Sequence, residues 1–181
     1  MTLGASLGPY RLVARTGRGG SGDVYRAIDT RLDRVVAIKI RQAGDANSLT
    51  HRFEREARAI SNLSHPHICT LYDVGRDGDV EFLVMEYLTG ETLADRLKRG
   101  PVPLDQMLEY GSQLAAALGH VHRHGFVHRD VKPSNIMLTD GGAKLLDFGV
   151  VTKPASAESD ASVYTADNVP RPGVGSNASQ P

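Results

Sequence analysis

Hydrophobic and polar positions change their period several times along the chain. Residues 10–40 read as strands, because 24–28 and 35–40 are rich in β-branched side chains with the polar turn 29–34 between them. Residues 49–63 then switch to a helical period. Phe53, Ala57, Ile60 and Leu63 recur at three-to-four spacing, with Arg52, Glu54, Arg55 and Arg58 on the other face. Ser64-His65-Pro66 ends that helix, since the residue before a proline disfavours the helical region. Two more strands follow, 68–74 and 80–87, around a polar, glycine-bearing hairpin loop at 75–79. A short helix is predicted over 92–99 and a longer one over 104–124, with Leu104, Met107, Leu108, Leu114, Leu118 and Val121 as its apolar stripe. Short strand-like pieces come next, at 126–127, 136–138 and 143–146. From about residue 150 the periodicity vanishes into Ala, Ser, Pro, Gly, Asp and Asn, which reads as a flexible tail or loop over 151–181.

Composition narrows the classes of function. A chain of 181 residues, 40% hydrophobic, has room for one ordinary domain or two small lobes with a buried core. Twenty-one basic residues balance twenty-one acidic ones, so nothing favours a nucleic acid or an anionic membrane surface. The single cysteine, Cys69, makes no internal disulfide and sits in an apolar run, as a small core residue would. No stretch has the apolar length of a membrane-spanning helix, and the first residues do not read as a secretion signal. The expectation is a cytoplasmic protein with no nucleic-acid partner and no membrane segment.

Four short motifs carry chemistry. Gly17-Arg18-Gly19-Gly20-Ser21-Gly22-Asp23-Val24 lies between two strands, a context suited to a flap whose backbone N–H groups cover phosphates; a bare glycine-rich hairpin is the plainer alternative. Lys39 closes the apolar strand Val36-Ala37-Ile38, where it either snorkels to water or meets an anion, with Glu56 on the next helix and nucleotide phosphates as the natural partners. The run from His128 to Asn135 packs a carboxylate, a lysine and an amide into one loop. There Asp130 can accept a proton or orient a hydroxyl, Lys132 can neutralise a transferring phosphoryl group, and Asn135 offers an oxygen to Mg²⁺. Asp147-Phe148-Gly149 ends an apolar strand with an acid suited to a metal.

Four such signatures, in this order and in these local contexts, resemble the eukaryotic-type serine/threonine protein kinases, and the run Gly22 to Ala27 resembles their bacterial branch. The resemblance covers roughly residues 8–150. It implies an α+β, two-lobed domain, with an antiparallel sheet and one helix over 1–87, a partial helical lobe over 88–150, and the segment 151–181 beyond. It implies ATP and Mg²⁺, or Mn²⁺ in its place, and protein substrates bearing Ser or Thr. By the same resemblance Gly17, Arg18, Gly19, Gly20, Ser21, Gly22 and Val24 cover the phosphates. Lys39 holds them while paired to Glu56, Met85 stands as the gatekeeper, and Glu86, Tyr87 and Leu88 form the hinge whose backbone reads the adenine edge. Glu91 reaches the ribose, and Val24 and Ala37 above and Met137 below sandwich the purine. Asp130 acts as base or orienter, Lys132 marks the serine/threonine class, and Asn135 and Asp147 hold the metal. Ile60, Leu71, His128 and Phe148 fall where the family stacks its regulatory spine.

The sequence departs from the family after residue 150, where no Ala-Pro-Glu signature and no further helical half-lobe follow. The expectation is therefore a truncated domain whose long helix exposes apolar surface, open to self-association. An ATP-binding module without catalysis is the competing reading. The histidines at 65, 67, 120, 122, 124 and 128 form a third feature. His120 and His124 share a helix face, yet surface histidines without a ligand are the commoner case.

Overall fold

The structure, a computed structural model, describes residues 2–19, 22–40, 61 and 63–146. Predictions that fall on residues 49–60, on Gly20, Ser21 and Glu56, and on everything from Asp147 onward lie outside the described residues.

Six strands form one antiparallel sheet: β1 (Ser6–Leu7), β2 (Tyr10–Gly19), β3 (Gly22–Asp29), β4 (Arg34–Ile40), β5 (Leu71–Asp77) and β6 (Val80–Glu86), in the order β1-β2-β3-β4-β6-β5. Period-two alternation sends one set of side chains into a core of Leu7, Tyr10, Leu12, Tyr25, Ala27, Val36, Ile38, Phe82 and Val84. Val36 and Ile38 are fully buried, each worth about 1.5–3 kcal/mol of apolar transfer. The predicted loop at 75–79 is shorter than the sequence suggests. Pairing continues to Asp77↔Val80, and the turn is the dipeptide Gly78-Asp79, opening on a φ of +59° at Gly78. Gly75 lies inside β5, where an added Cβ would come within 2.2 Å of the Phe82 ring, so the glycine there admits the neighbouring aromatic.

The second unit begins with β7 (Glu91–Thr92) and α1 (Leu93–Leu97). Helix α2 (Leu104–Arg123), the 3-10 turn Pro133–Asn135, β8 (Ile136–Thr139) and β9 (Gly142–Leu145) follow. Strands β7, β8 and β9 form a small antiparallel sheet in that order. Thr92 caps α1, its Oγ1 accepting from the Asp95 N–H at 3.0 Å. Helix α2 packs over this sheet through Tyr110, Leu114 and Leu118, against Leu93, Ile136, Ala143 and Leu145. Farther along, Ala117 and Val121 meet Leu63 and Ile68. The first part of its predicted stripe is not buried, with Leu104 75% and Leu108 66% exposed. The pieces at 126–127 are not strand either; Phe126 instead packs beside Val121, its N–H donating to the Val121 carbonyl at 3.1 Å. Cys69 is buried, as its apolar run suggests.

The segment before β5 stitches the two units together. Cys69 N–H donates to the Leu145 carbonyl and Leu145 N–H to the His67 carbonyl, both at 2.9 Å, and Ile68 forms an isolated parallel bridge with Leu145.

Candidate active site

Strand register gathers the first set of predicted residues. Directly opposed residues of an antiparallel pair put their side chains on one face. Gly17 opposes Val24, Val24 opposes Lys39, and Ala37 opposes Met85, so all five share the face of the sheet opposite the core. Lys39 is only 7% exposed and Ala37 is buried, while Val24 and Met85 are half-buried. Gly22 opens β3 opposite Gly19, with Asp23 opposite Arg18, which makes the glycine run a hairpin between strands, as its sequence context predicts. The chain runs on from Gly22 as strand, whereas a dinucleotide-binding turn of the same glycine spacing opens a helix.

The second set forms a compact loop whose 3-10 turn lies against α1. Asp130 is its hub. Lys132 Nζ donates to both carboxylate oxygens, at 2.9 and 2.7 Å, and Asn135 Nδ2 donates to Oδ2 at 2.8 Å and to the Asp130 main-chain carbonyl at 2.9 Å. The Lys132 hydrogen bonds lead in holding the Asp130 carboxyl below the ordinary carboxylate range, with Asn135 and the charge of Lys132 acting the same way against some desolvation. The chain reaches this geometry through Arg129, whose φ of +61° is uncommon for a side-chain-bearing residue. His128 pins the loop from below. It is buried, and its Nδ1 accepts from the Asp130 N–H at 3.3 Å. Nε2 therefore carries the proton and donates to the Leu146 carbonyl at 2.9 Å. Leu146 N–H returns a bond to the Asn135 carbonyl at 2.8 Å. The residue preceding Asp147 in sequence is thus fastened on both sides to the loop that carries Asp130 and Asn135.

Asn135 fits a hard divalent cation by donor chemistry. It is 7% exposed, and both Nδ2 protons are directed to Asp130, which leaves its Oδ1 as the acceptor for a metal or a donor. Among the described residues no group of three His, Cys, Asp or Glu side chains converges on a metal position.

Between these sets lie the residues predicted at the hinge and ribose. Glu86 is half-buried, and its carboxylate accepts from Lys144 Nζ at 2.7 and 2.8 Å and from the Thr70 N–H at 3.3 Å. Tyr87 and Leu88 follow β6, with the Arg26 guanidinium over the Tyr87 ring at 5.8 Å. Gly90, at a φ of +143°, approaches β8 so closely that a Cβ would lie 2.0 Å from the Leu138 carbonyl oxygen. Glu91 is gripped by both Arg99 terminal nitrogens, whose hydrogen bonds hold its carboxyl low. Met137 lies in β8, opposite Lys144 of β9 and Thr92 of β7. The sequence reading did not single out Lys144 or Arg99. Their signal was an unpaired sign of charge: a lysine inside the apolar run 143–146, and an arginine eight residues after Glu91.

The protein kinase domain family matches residues 10–170. The chain belongs to this family. The match runs farther than the motif resemblance, which ends at about residue 150. Among curated kinases, serine/threonine-protein kinase PknL of Mycobacterium tuberculosis is 45% identical over 153 residues, covering 82% of this chain and 38% of PknL. Serine/threonine-protein kinase PrkC of Bacillus subtilis is 40% identical over 161 residues, covering 86% of this chain and 25% of PrkC. The crystal structure of the Mycobacterium tuberculosis PknI kinase domain superposes with a TM-score of 0.75 at 30% identity, over 85% of this chain and 65% of that one. The chain therefore spans well under half the length of these curated kinases, and the fold is that of a protein kinase. No described helix is long and apolar enough to cross a membrane.

Proposed function

We propose that the chain is a serine/threonine protein kinase that transfers the γ-phosphoryl group of ATP to a protein hydroxyl. The observation that carries the reading is the Asp130 loop, in which a carboxylate, an ammonium and an amide are held together by direct hydrogen bonds. Asp130 is ionised at neutral pH and oriented by two neighbours, so it can align a Ser or Thr hydroxyl and accept its proton as the oxygen attacks phosphorus. The bond from phosphorus to the bridging oxygen of ADP breaks in the same displacement. Lys132 stands beside that carboxylate, where its charge offsets the negative charge on the transferred group. Asn135 Oδ1 and Asp147 would hold Mg²⁺ or Mn²⁺, and the bound ion screens the triphosphate charge. The face carrying Gly17, Val24, Ala37, Lys39 and Met85 is the proposed ceiling of the nucleotide site, with Met137 its floor. Arg18, Gly19, Gly20, Ser21 and Gly22 make the flap, Lys39 pairs with Glu56, Glu86 and Leu88 give the adenine-reading backbone, and Glu91 meets the ribose.

A second reading is an ATP-binding module without phosphotransfer, which self-associates or docks a partner through α2. The exposed Leu104 and Leu108 favour it. The experiment is phosphotransfer from radiolabelled ATP to a generic protein substrate and to the chain itself, with Asp130→Ala alongside. Transfer that disappears in Asp130→Ala supports the kinase. ATP binding with no transfer from either chain selects the module.

A further inference from the structure

Lys144 and Glu86 are oppositely charged and lie 58 positions apart on two different sheets, at the seam between the two units. Their side chains are 18% and 24% exposed, so water screens the pair only partly. The contact is bidentate, at 2.7 and 2.8 Å. A second donor, the Thr70 N–H, holds the same carboxylate, and the Glu86 N–H donates to the Thr70 carbonyl at 2.9 Å. The end of β6 is thereby clamped to the 67–70 segment and to β9 at once. Lys144 directly opposes Met137, so these two side chains leave the small sheet on the same face.

We infer that Lys144 is a positioning residue for the purine: by holding the Glu86 carboxylate it fixes the backbone of the 86–88 segment relative to Met137. The inference rests on the nucleotide-binding reading of this cleft. Glu86 is also paired with Val36 of β4, so losing Lys144 would loosen the end of β6 toward β9 and not free it; a shift of fractions of an ångström there would disturb backbone groups that read the purine edge before it disturbed phosphate contacts. The effect of Lys144 therefore falls on which purine is bound, beyond how firmly the two units are joined.

The test is the affinity of the whole 181-residue chain for Mg²⁺–ATP and Mg²⁺–GTP, by competition against a fluorescent nucleotide. The two ligands share a triphosphate and differ at the purine edge. In Lys144→Met, ATP affinity is expected to fall on the order of tenfold while GTP affinity barely moves, so the ATP:GTP preference collapses. Glu86→Gln, which keeps the side-chain shape, is expected to reproduce that loss, and the double exchange Lys144→Glu with Glu86→Lys to restore much of the preference. Equal weakening of both nucleotides, or wild-type preference in Glu86→Gln, overturns the inference while leaving the cleft reading intact. A parent chain that binds neither nucleotide removes both readings together.

Discussion

The six-stranded sheet and the Asp130 loop place their side chains by different physical means. In the sheet, position follows from register: Val24 opposes Lys39, Ala37 opposes Met85, and Ala37 and Lys39 stand two apart on β4, so all four share a face whose other side is the core. A one-residue slip would expose Val36 and Ile38, so the same burial that stabilises the sheet fixes the face that meets a ligand. In the loop no periodicity operates. Asp130 is held by Lys132, Asn135 and His128, across a left-handed Arg129, and almost every contact is a hydrogen bond to a single group. The sheet spreads its determinants over many weak apolar contacts, and the loop concentrates them in a few polar ones.

This contrast can be broken at either end. The largest effect is expected from Asp130→Ala, which should cost about 10²–10⁴-fold in phosphotransfer with a small change in melting temperature, because Asp130 is partly exposed. Steady-state rates alongside calorimetry check both halves. Next in size is Ile38→Ala, which empties a fully buried position and should lower stability by about 2–5 kcal/mol in denaturant titration while sparing the loop chemistry.

Smaller, and sensitive to pH, are the imidazoles between the 65–67 segment and α2. The His65 and His120 rings meet at a tilt with centroids 5.2 Å apart, and His120 and His124 likewise at 4.4 Å, with His67 and Arg123 close enough to act on His65. Burial first, then neighbouring positive charge, lowers the proton affinity of His65 and His120. The unfolded chain then binds more protons. Stability is therefore whole above the ordinary histidine range near pH 6.5 and is lost as pH falls below it. His120→Gln should flatten that part of a melting-temperature profile. Asp130 behaves differently. Its carboxyl is held low, so its contribution persists through this window and is lost only below the usual carboxylate range, near pH 4. Lys132→Ala should move the acid limb of activity upward, since the leading cause of that depression is removed. The smallest effect is expected for Lys98→Ala. It breaks an exposed pair with Asp95 that water and salt screen, and should leave the melting temperature essentially unchanged.

The strands and α2 were legible in the sequence because burial imposes a period. The predicted 104–124 helix and the observed Leu104–Arg123 differ by one residue. The pattern marks what can be buried and not whether a partner lies against it: Leu104 and Leu108 fit the stripe yet face solvent, in line with the expectation that this helix exposes apolar surface. Phe126 and Val127 looked like a strand through composition alone, with no neighbour in register. The motif loop was legible as chemistry, because Asp130, Lys132 and Asn135 are an unusual set at short spacing. Its geometry was not, because it depends on the left-handed backbone at Arg129. The Glu86–Lys144 pair was invisible for a third reason. Its partners are far apart in sequence, and only the seam between the two sheets brings them together.

The most direct test of the account is thermal unfolding of the whole chain with and without Mg²⁺–ATP, run in parallel on Lys39→Ala. If the shared face of the sheet and the Asp130 loop together form a nucleotide site, saturation at a hundred times Kd adds about 2.7 kcal/mol to the native state. The melting temperature then rises by several degrees in the parent and not in Lys39→Ala. An unchanged transition in the parent would contradict the nucleotide site, and with it the proposed phosphotransfer.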